Sequence, residues 1–360
     1  MRNLRQGRGS RVTISDVGAA AGVSASTVSR VLNGTTKVDP ALAARVHDAV
    51  TQLGYRPNAA AQGLARGEWG TIGVLVPDLA NPYFPGVLKA VSAVARSHGR
   101  RVMVMESDDD PSIEHDLVED LMRSCDGVLL ASSRLERADL AALTGRGHPL
   151  VLLNRIVPGL AAPAVSADFF GGMMLICGHL AQLGHRRVAY LSGPEVSWAN
   201  SERIRALEAA KAFGLSVTIL PCGSTSQCGY EAAAAVAGTG ATALTTYNDL
   251  VALGAVTRMR ELGVRVPEEL SVVGFDDIAL DHVAHTGLTT VSVPQGQLGR
   301  QAAEMLVALM TEGHDGAPVT LPMELQVRDS TAPPGVPAVL TGEGAGVLTS
   351  AGDGGKPSSG

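Results

Sequence analysis

Apolar positions follow one rhythm in the first sixty residues and another from Thr71 onward. In VTISDVGAAAGVSASTVSRVL (12–32) and DPALAARVHDAVTQLG (39–54) they recur at helical spacing. Thr13 with Asp16 three residues later is a capping pair that starts a helix at Ile14, and Gly22 ends it. Ser24 caps a second helix from Ala25, whose apolar face is Val28, Val31 and Leu32. Asp39 and Pro40 open a third, with Leu42, Val46, Val50 and Leu53 on one face and Gly54 as its stop. Two short helices joined by a tight turn make a helix-turn-helix, and three can close a small core. A plain α-hairpin has the same spacing, so the pattern alone leaves a DNA-reading role open.

From Thr71 the pattern alternates. TIGVLV, RVMVME, GVLLAS, LVLLN, RVAYLS, SVTIL, ATALTT and LSVVGF are short strand-like runs, and the segments between them, such as Val87 to Val94 or Leu250 to Met259, have helical apolar spacing. Repeated βα units imply parallel sheets. With VSV and VTLPMELQV added, the runs exceed one comfortable sheet, so two similar halves are expected. Ligands of open α/β sheets bind outside the carboxyl ends of the strands. Polar residues gather there: Asp78 through Phe84, Asn154-Arg155, Asn248-Asp249 and Phe275-Asp276-Asp277, while Ser201-Glu202-Arg203 opens a helix. Taken singly, Asp276-Asp277 reads equally well as a loop cap and Arg203 as a surface partner of Glu202.

TISDVGAAAGVSASTVSRVLNG, LGYRPNAAAQGLARG, NPYF, LGHRRVAYLSG, YNDLVALGAV and VPEELSVVGFDD, in that order, resemble the signatures of the LacI/GalR family of bacterial transcription regulators. The resemblance runs from Val12 to about Thr331. It implies an N-terminal all-α helix-turn-helix domain plus an α/β core of two doubly wound parallel-sheet subdomains of periplasmic-binding-protein type, joined by three crossovers. The expected domains are a disordered basic arm (1–11), a DNA-binding domain (12–57), a hinge helix (58–67), a two-lobed effector-binding and dimerisation core (68–331) and a disordered tail (332–360).

The family's base-reading positions match Ala25, Ser26 and Arg30. Arg30 can bond guanine O6 and N7 together, Ala25 can only touch a thymine methyl, and Ser26 discriminates weakly. Ser24, Thr27, Ser29 and Asn33 suit phosphate oxygens, although Ser24 is equally explained as a helix cap. Asn58, Ala61 and Leu64 fall in the hinge, where the family inserts a leucine matching Leu64 into the minor groove. Seven residues containing Gly63 cannot hold a helix alone, so order there must come from partners. By the same resemblance Tyr83, Phe84, Asn154, Arg203, Asn248 and Asp276 match effector contacts, with Arg155, Trp198, Asp249 and Phe275 beside them. Ala206 and Leu207 depart from the family's usual glycine and aromatic.

Charge sharpens this division. Residues 1–66 carry nine Lys/Arg against three acids, and the rest carries twenty against thirty-two. A basic head on an acidic body places phosphate-seeking charge where the helix-turn-helix sits. Six apolar residues from Thr71 end at Pro77, and no run approaches the ~20 of a membrane span. MRNLRQGRGSR lacks the apolar segment of a signal peptide, so a cytoplasmic location is expected. Cys125, Cys177, Cys222 and Cys228 form no C-x-x-C pair, so neither zinc nor a disulfide framework is supported, and no cofactor is expected. From Ala332 the chain is rich in Gly, Pro and Ser, with no leucine heptads.

The resulting expectation is a homodimeric transcription regulator, a repressor in sense, that binds a pseudo-palindromic duplex through two heads and is controlled by a small polar effector, a sugar or related metabolite. An enzyme using Asp276-Asp277 with His282 or Asp168 is the alternative, but no nucleophile elbow, P-loop or H-E-x-x-H accompanies them. A sugar-transport protein would lack the basic head.

Overall fold

The computed structural model describes residues 12–33, 38–55, 69–160, 162–278, 287–313 and 317–335. The expected arm (1–11), hinge helix with Asn58, Ala61 and Leu64, the Asn33 side chain, His282 and the chain beyond 335 lie outside the described residues. The chain divides into two compact units, Met1–Gly70 and Thr71–Gly360.

The first unit holds α1 (Ile14–Ala21), α2 (Ala25–Asn33) and α3 (Pro40–Leu53). Each starts on the side chain the sequence offers. Asp16 Oδ2 accepts the Thr13 backbone N–H at 2.8 Å, and Thr13 Oγ1 accepts from Asp16 N at 3.4 Å. Ser24 Oγ accepts from Thr27 N at 3.2 Å, and Asp39 Oδ1 from Ala41 N at 2.8 Å. Val17, Ala21, Val28, Val46 and Ala49 form the core. The buried stripe of α3 is narrower than its apolar pattern: Leu42 and Val50 are half-buried and Leu53 is exposed, because two short partner helices cover only about its middle turns. Gly18 is required at the crossing, since a Cβ there would lie 2.8 Å from the Val23 carbonyl oxygen.

The second unit starts with β1 (Thr71–Val76), α4 (Tyr83–Ser97), β2 (Arg101–Glu106), α5 (Pro111–Ser124), β3 (Gly127–Ala131), α6 (Arg137–Thr144), β4 (Leu150–Leu153) and β5 (Ala164–Ala167). The chain then builds a second lobe from α7 (Phe169–Leu183), β6 (Arg187–Ser192), α8 (Trp198–Ala210), β7 (Ser216–Pro221), α9 (Ser226–Ala237), β8 (Ala243–Thr246), α10 (Asp249–Glu261), β9 (Ser271–Val273) and β10 (Thr290–Ser292). It returns to the first lobe with α11 (Gln295–Glu312) and β11 (Val319–Leu321), and ends in the second with β12 (Glu324–Gln326). The first sheet runs β11-β5-β4-β3-β1-β2, all parallel; the second runs β7-β6-β8-β9, also parallel. Bridges Val273–Thr289 and Asp276–Ser292 attach the antiparallel β10–β12 pair to it. The chain therefore passes between lobes three times.

Three details depart from the sequence pattern. The sequence pattern does not show Ala164–Ala167 as a strand, since it has a single β-branched residue after Pro163, yet it is fully buried between β4 and β11. Burial on both sides, not propensity, makes it a strand. The run VTLPMELQV is two strands, split at Pro322, one in each lobe. Finally, Ala332 does not begin a loose tail: its N–H donates to Ser271 Oγ at 3.0 Å, and its carbonyl accepts from that same hydroxyl.

Candidate functional site

On α2 the candidate base readers are presented outward. Ser26 and Arg30 are exposed and Ala25 is half-buried, while Val28 points into the core. The hydroxyls of Ser26 and Thr27 lie 2.8 and 2.9 Å from Ser24 Oγ, so the helix start is a tight polar knot. Ser29 is half-buried one turn on. Arg30 thus stands as a solvated guanidinium on the exposed side of a short, well-capped helix.

The second unit has a cleft where the strand ends of its two lobes meet. The first lobe contributes Asp78, Asn81, Tyr83, Phe84, Asp109, Ser132, Arg134 and Asn154; the second contributes Phe169, Ala199, Arg203, Ser224, Tyr247, Asn248 and Asp276. Six of the candidate effector residues, Tyr83, Phe84, Asn154, Arg203, Asn248 and Asp276, are brought together here.

Arg203 is the centre of this arrangement. Ser197 caps α8 by accepting from Asn200 N, and Asn200 Oδ1 accepts from Tyr190 Oη at 2.8 Å and Gly193 N at 3.0 Å. This fixes the first turn of α8 and, one turn later, the guanidinium. Arg203 is 2% exposed, with its guanidinium carbon 3.9 Å from the Phe275 ring centroid, 4.7 Å from Phe169 and 4.8 Å from Tyr247. Its Nη2 is 3.8 Å from Asp276 Oδ1, too far for a hydrogen bond, and among the described residues Nε and Nη1 have no hydrogen-bond partner.

Neutral amides and a phenol line the cleft around Arg203. Asn154 Nδ2 donates to Tyr83 Oη at 2.5 Å. Burial, and then the Asp276 charge, push the Tyr83 phenol well above its usual range, so it stays protonated. Asn248 caps α10, its Oδ1 accepting from Val251 N at 2.9 Å, while Nδ2 donates to the Ser224 carbonyl at 2.8 Å. Close approach of two helices makes this possible: a Cβ on Gly254 would lie 1.9 Å from the Ser226 carbonyl oxygen, so α9 and α10 meet backbone to backbone.

Four sequence candidates stand outside this lining. Asp249 is fully buried and committed, its Oδ2 accepting from Ile278 N at 2.9 Å and its Oδ1 from Thr290 Oγ1 at 2.6 Å. Phe275 is fully buried under Arg203. Trp198 packs edge-on to Phe169 at 6.0 Å. Arg155 turns away to donate to the Ser133 carbonyl at 2.6 Å, and burial lowers its pKa. The alternative acid-base groups are also committed: Asp168 caps α7 through Gly171 N at 2.8 Å, and Asp277 pairs with Arg328 at 2.6 Å.

The pattern missed Asp109, Ser132, Arg134, Phe169, Ser224 and Tyr247. Each follows a strand within three residues, so the strand-end rule applied to every run would find all but Phe169, whose strand Ala164–Ala167 the sequence pattern does not show. Asp108, Asp109, Ser132, Asn154, Asp276 and Asp277 are the non-glycine residues with positive φ among those described, and all six follow strands of the cleft. Such conformations cost about 1–3 kcal/mol each and collect at ligand sites.

Comparison with known proteins accords with both sites. Residues 13–58 match the model of bacterial regulatory proteins of the lacI family, and residues 177–331 match that of periplasmic binding protein-like domains. The chain is 34% identical over 304 residues to the HTH-type transcriptional regulator GalR of Escherichia coli strain K12, covering 82% of this chain and 89% of that one. Its fold is similar to that of a lac repressor dimer bound to operator and the anti-inducer ONPF, with a TM-score of 0.78 and 27% identity, over 89% of this chain and 99% of that one. It is also similar to a LacI family transcriptional regulator from Enterococcus faecium with bound ribose, with a TM-score of 0.66 and 27% identity, over 73% of this chain and 99% of that one. A capped second helix with an outward arginine, a two-lobed core and these matches agree: the chain belongs to the LacI family of bacterial regulatory proteins, which are DNA-binding transcription regulators.

Proposed function

We propose that this regulator is a cytoplasmic homodimer, repressor in sense, whose α2 reads a pseudo-palindromic operator and whose cleft takes one neutral, hydroxyl-rich effector such as a sugar. The observation that carries the effector reading is Arg203: a guanidinium 2% exposed, boxed by three aromatic rings, with two nitrogens that lack hydrogen-bond partners among the described residues. An unmade hydrogen bond at a buried group costs about 1–3 kcal/mol, so the site favours a ligand that accepts from this fork. Asp276, whose carboxylate faces the fork, accepts from hydroxyls in turn. The lining has three carboxylates, Asp78, Asp109 and Asp276, against two guanidinia, and Arg134 is already paired with Asp109 at 2.8 Å. That balance disfavours an anionic ligand. Ribose in the Enterococcus faecium relative is of the favoured class.

On the DNA side, Arg30 takes a guanine edge, Ala25 and Ser26 take neighbouring bases, and Ser24, Thr27, Ser29 and Asn33 hold phosphates. Asn58, Ala61 and Leu64 belong to a hinge (58–67) between the reading domain (12–57) and the core (68–331), with Leu64 as a minor-groove wedge. Effector and operator affinities are reciprocally coupled.

Selection of binding sites from a random duplex library by the full chain tests this function. A pseudo-palindrome should be enriched, and its affinity should change on adding at least one neutral sugar from a panel containing galactose, ribose and cellobiose. Enrichment of no sequence by the full chain would sink the operator reading.

A further inference from the structure

Asp109 is an odd residue to find in a ligand cleft. It and Asp108 are consecutive non-glycine residues at positive φ, so its placement is held against backbone preference. Its two carboxylate oxygens are divided between the lobes. Oδ1 accepts from Arg134 Nε at 2.9 Å and Nη2 at 2.8 Å, both within the first lobe. Oδ2 accepts from Ser224 Oγ of the second lobe at 3.1 Å.

Each half of this contact is braced by its own lobe. Arg134 is 6% exposed, and its backbone N–H donates to the buried Glu114 Oε2 at 2.7 Å. Ser224 is held through its carbonyl by Asn248 Nδ2 at 2.8 Å. Tyr247 of the second lobe lines the same cleft as Arg134, and although burial works against the arginine's charge, Tyr247 and Asp109 outweigh it and raise its pKa. Tyr247 is steadied by Ser197 Oγ, 3.1 Å from its hydroxyl. An ion pair serving only the first lobe would need neither Ser224 nor Tyr247.

We propose that Asp109 and Ser224, aligned by Arg134 and Tyr247, form a latch that holds the two lobes together, and so set how readily the cleft opens. The consequence for regulation rests on the cleft being the effector site; the latch itself does not. Weakening this contact raises the open population and so changes the effector threshold.

The test is hydrogen exchange by mass spectrometry on the full chain, with neither effector nor DNA. Ser224→Ala should speed exchange at least threefold in peptides covering 107–112 and 130–136, which lie in the opposite lobe. Asp109→Asn should do the same, and the double variant should exceed Asp109→Asn by less than a factor of about 1.5, because both changes break one bridge. Faster exchange confined to 222–229, or effects that multiply in the double variant, would overturn the latch. Since Ser224→Ala removes only a half-buried hydroxyl, its thermal midpoint should match the wild type, which separates opening from unfolding. A failed effector screen leaves this result standing, and a failed latch leaves the effector reading standing.

Discussion

In the helix-turn-helix unit the candidate contacts Ser24, Ser26 and Arg30 stand exposed on or beside one short helix, whereas in the cleft Asn154, Arg203, Asn248 and Asp276 are each no more than 7% exposed. The first set shares a local frame built by caps at Ser24 and by five core residues. The second comes from three strand ends and a helix, spread from residue 154 to residue 276 across both lobes. Ser26 and Arg30, exposed on that frame, contribute to binding without supporting the fold, so their loss should weaken recognition and leave stability alone, whereas Ser24 also caps the helix. Buried groups in a shared network hold partners and shape as well as ligand, so their loss should be larger and less separable.

The largest expected effect is at Arg203. Arg203→Ala should weaken effector binding by at least about a hundredfold, since two charge-assisted hydrogen bonds of about 1.5–3 kcal/mol each are lost. Operator affinity without effector should stay within about threefold, as measured by fluorescence anisotropy. A normal effector response in this variant would remove the cleft assignment.

Arg30→Ala should cost about 1–3 kcal/mol on the operator and flatten preference at one guanine per half-site, with the melting temperature unchanged. Uniform weakening on every sequence would make Arg30 a phosphate contact instead. Leu64→Ala, outside the described residues, should lower operator affinity about tenfold and leave salt-dependent non-specific affinity nearly unchanged, because phosphate charge is untouched. Gel phasing should show a smaller bend.

The smallest effect sharpens the contrast from the other side. Thr13→Ala removes a cap worth about 1 kcal/mol and should lower the melting of the first unit without moving the transition of the second. Hydrogen bonds from the Thr13 backbone and side chain hold the Asp16 carboxyl below its usual value. The stability this confers is therefore present above the ordinary aspartate pKa and is lost as pH falls through the lowered one, below about pH 4. Circular dichroism should show the gap between wild type and Thr13→Ala narrowing at that acid end, where the Thr13 hydroxyl loses the charged Asp16 acceptor, without closing, because Thr13 Oγ1 still accepts from Asp16 N; a gap independent of pH would mean that the hydroxyl does not act through the Asp16 carboxylate.

How legible each region was in the sequence follows from the same contrast. Caps at Thr13, Ser24 and Asp39 are local patterns, and each forms the bond that its spacing implies. The βα alternation likewise gives most strands, but not Ala164–Ala167, whose pairing partners β4 and β11 are distant in sequence and supply the burial that its own side chains do not advertise. In the cleft, Arg203 and Asp276 are visible because the resemblance marks them, whereas Arg134 and Ser224 become meaningful only once Asp109 stands between them. Asp249 misled in the opposite direction: a carboxylate beside a cap looks like a contact until Thr290 and Ile278 are seen to use it. Such placements are properties of tertiary packing, which no window of sequence contains.

The central claim is that a basic reading domain is governed by a cleft selective for neutral hydroxyl-rich ligands through Arg203. Calorimetric titration of the full chain tests it most directly, using galactose, ribose and cellobiose beside sugar acids and sugar phosphates. The account predicts that at least one neutral sugar binds once per chain, that its charged counterparts bind at least tenfold more weakly, and that Arg203→Ala loses the binding. Binding by the charged compounds alone, or neutral-sugar binding that survives Arg203→Ala, would contradict it.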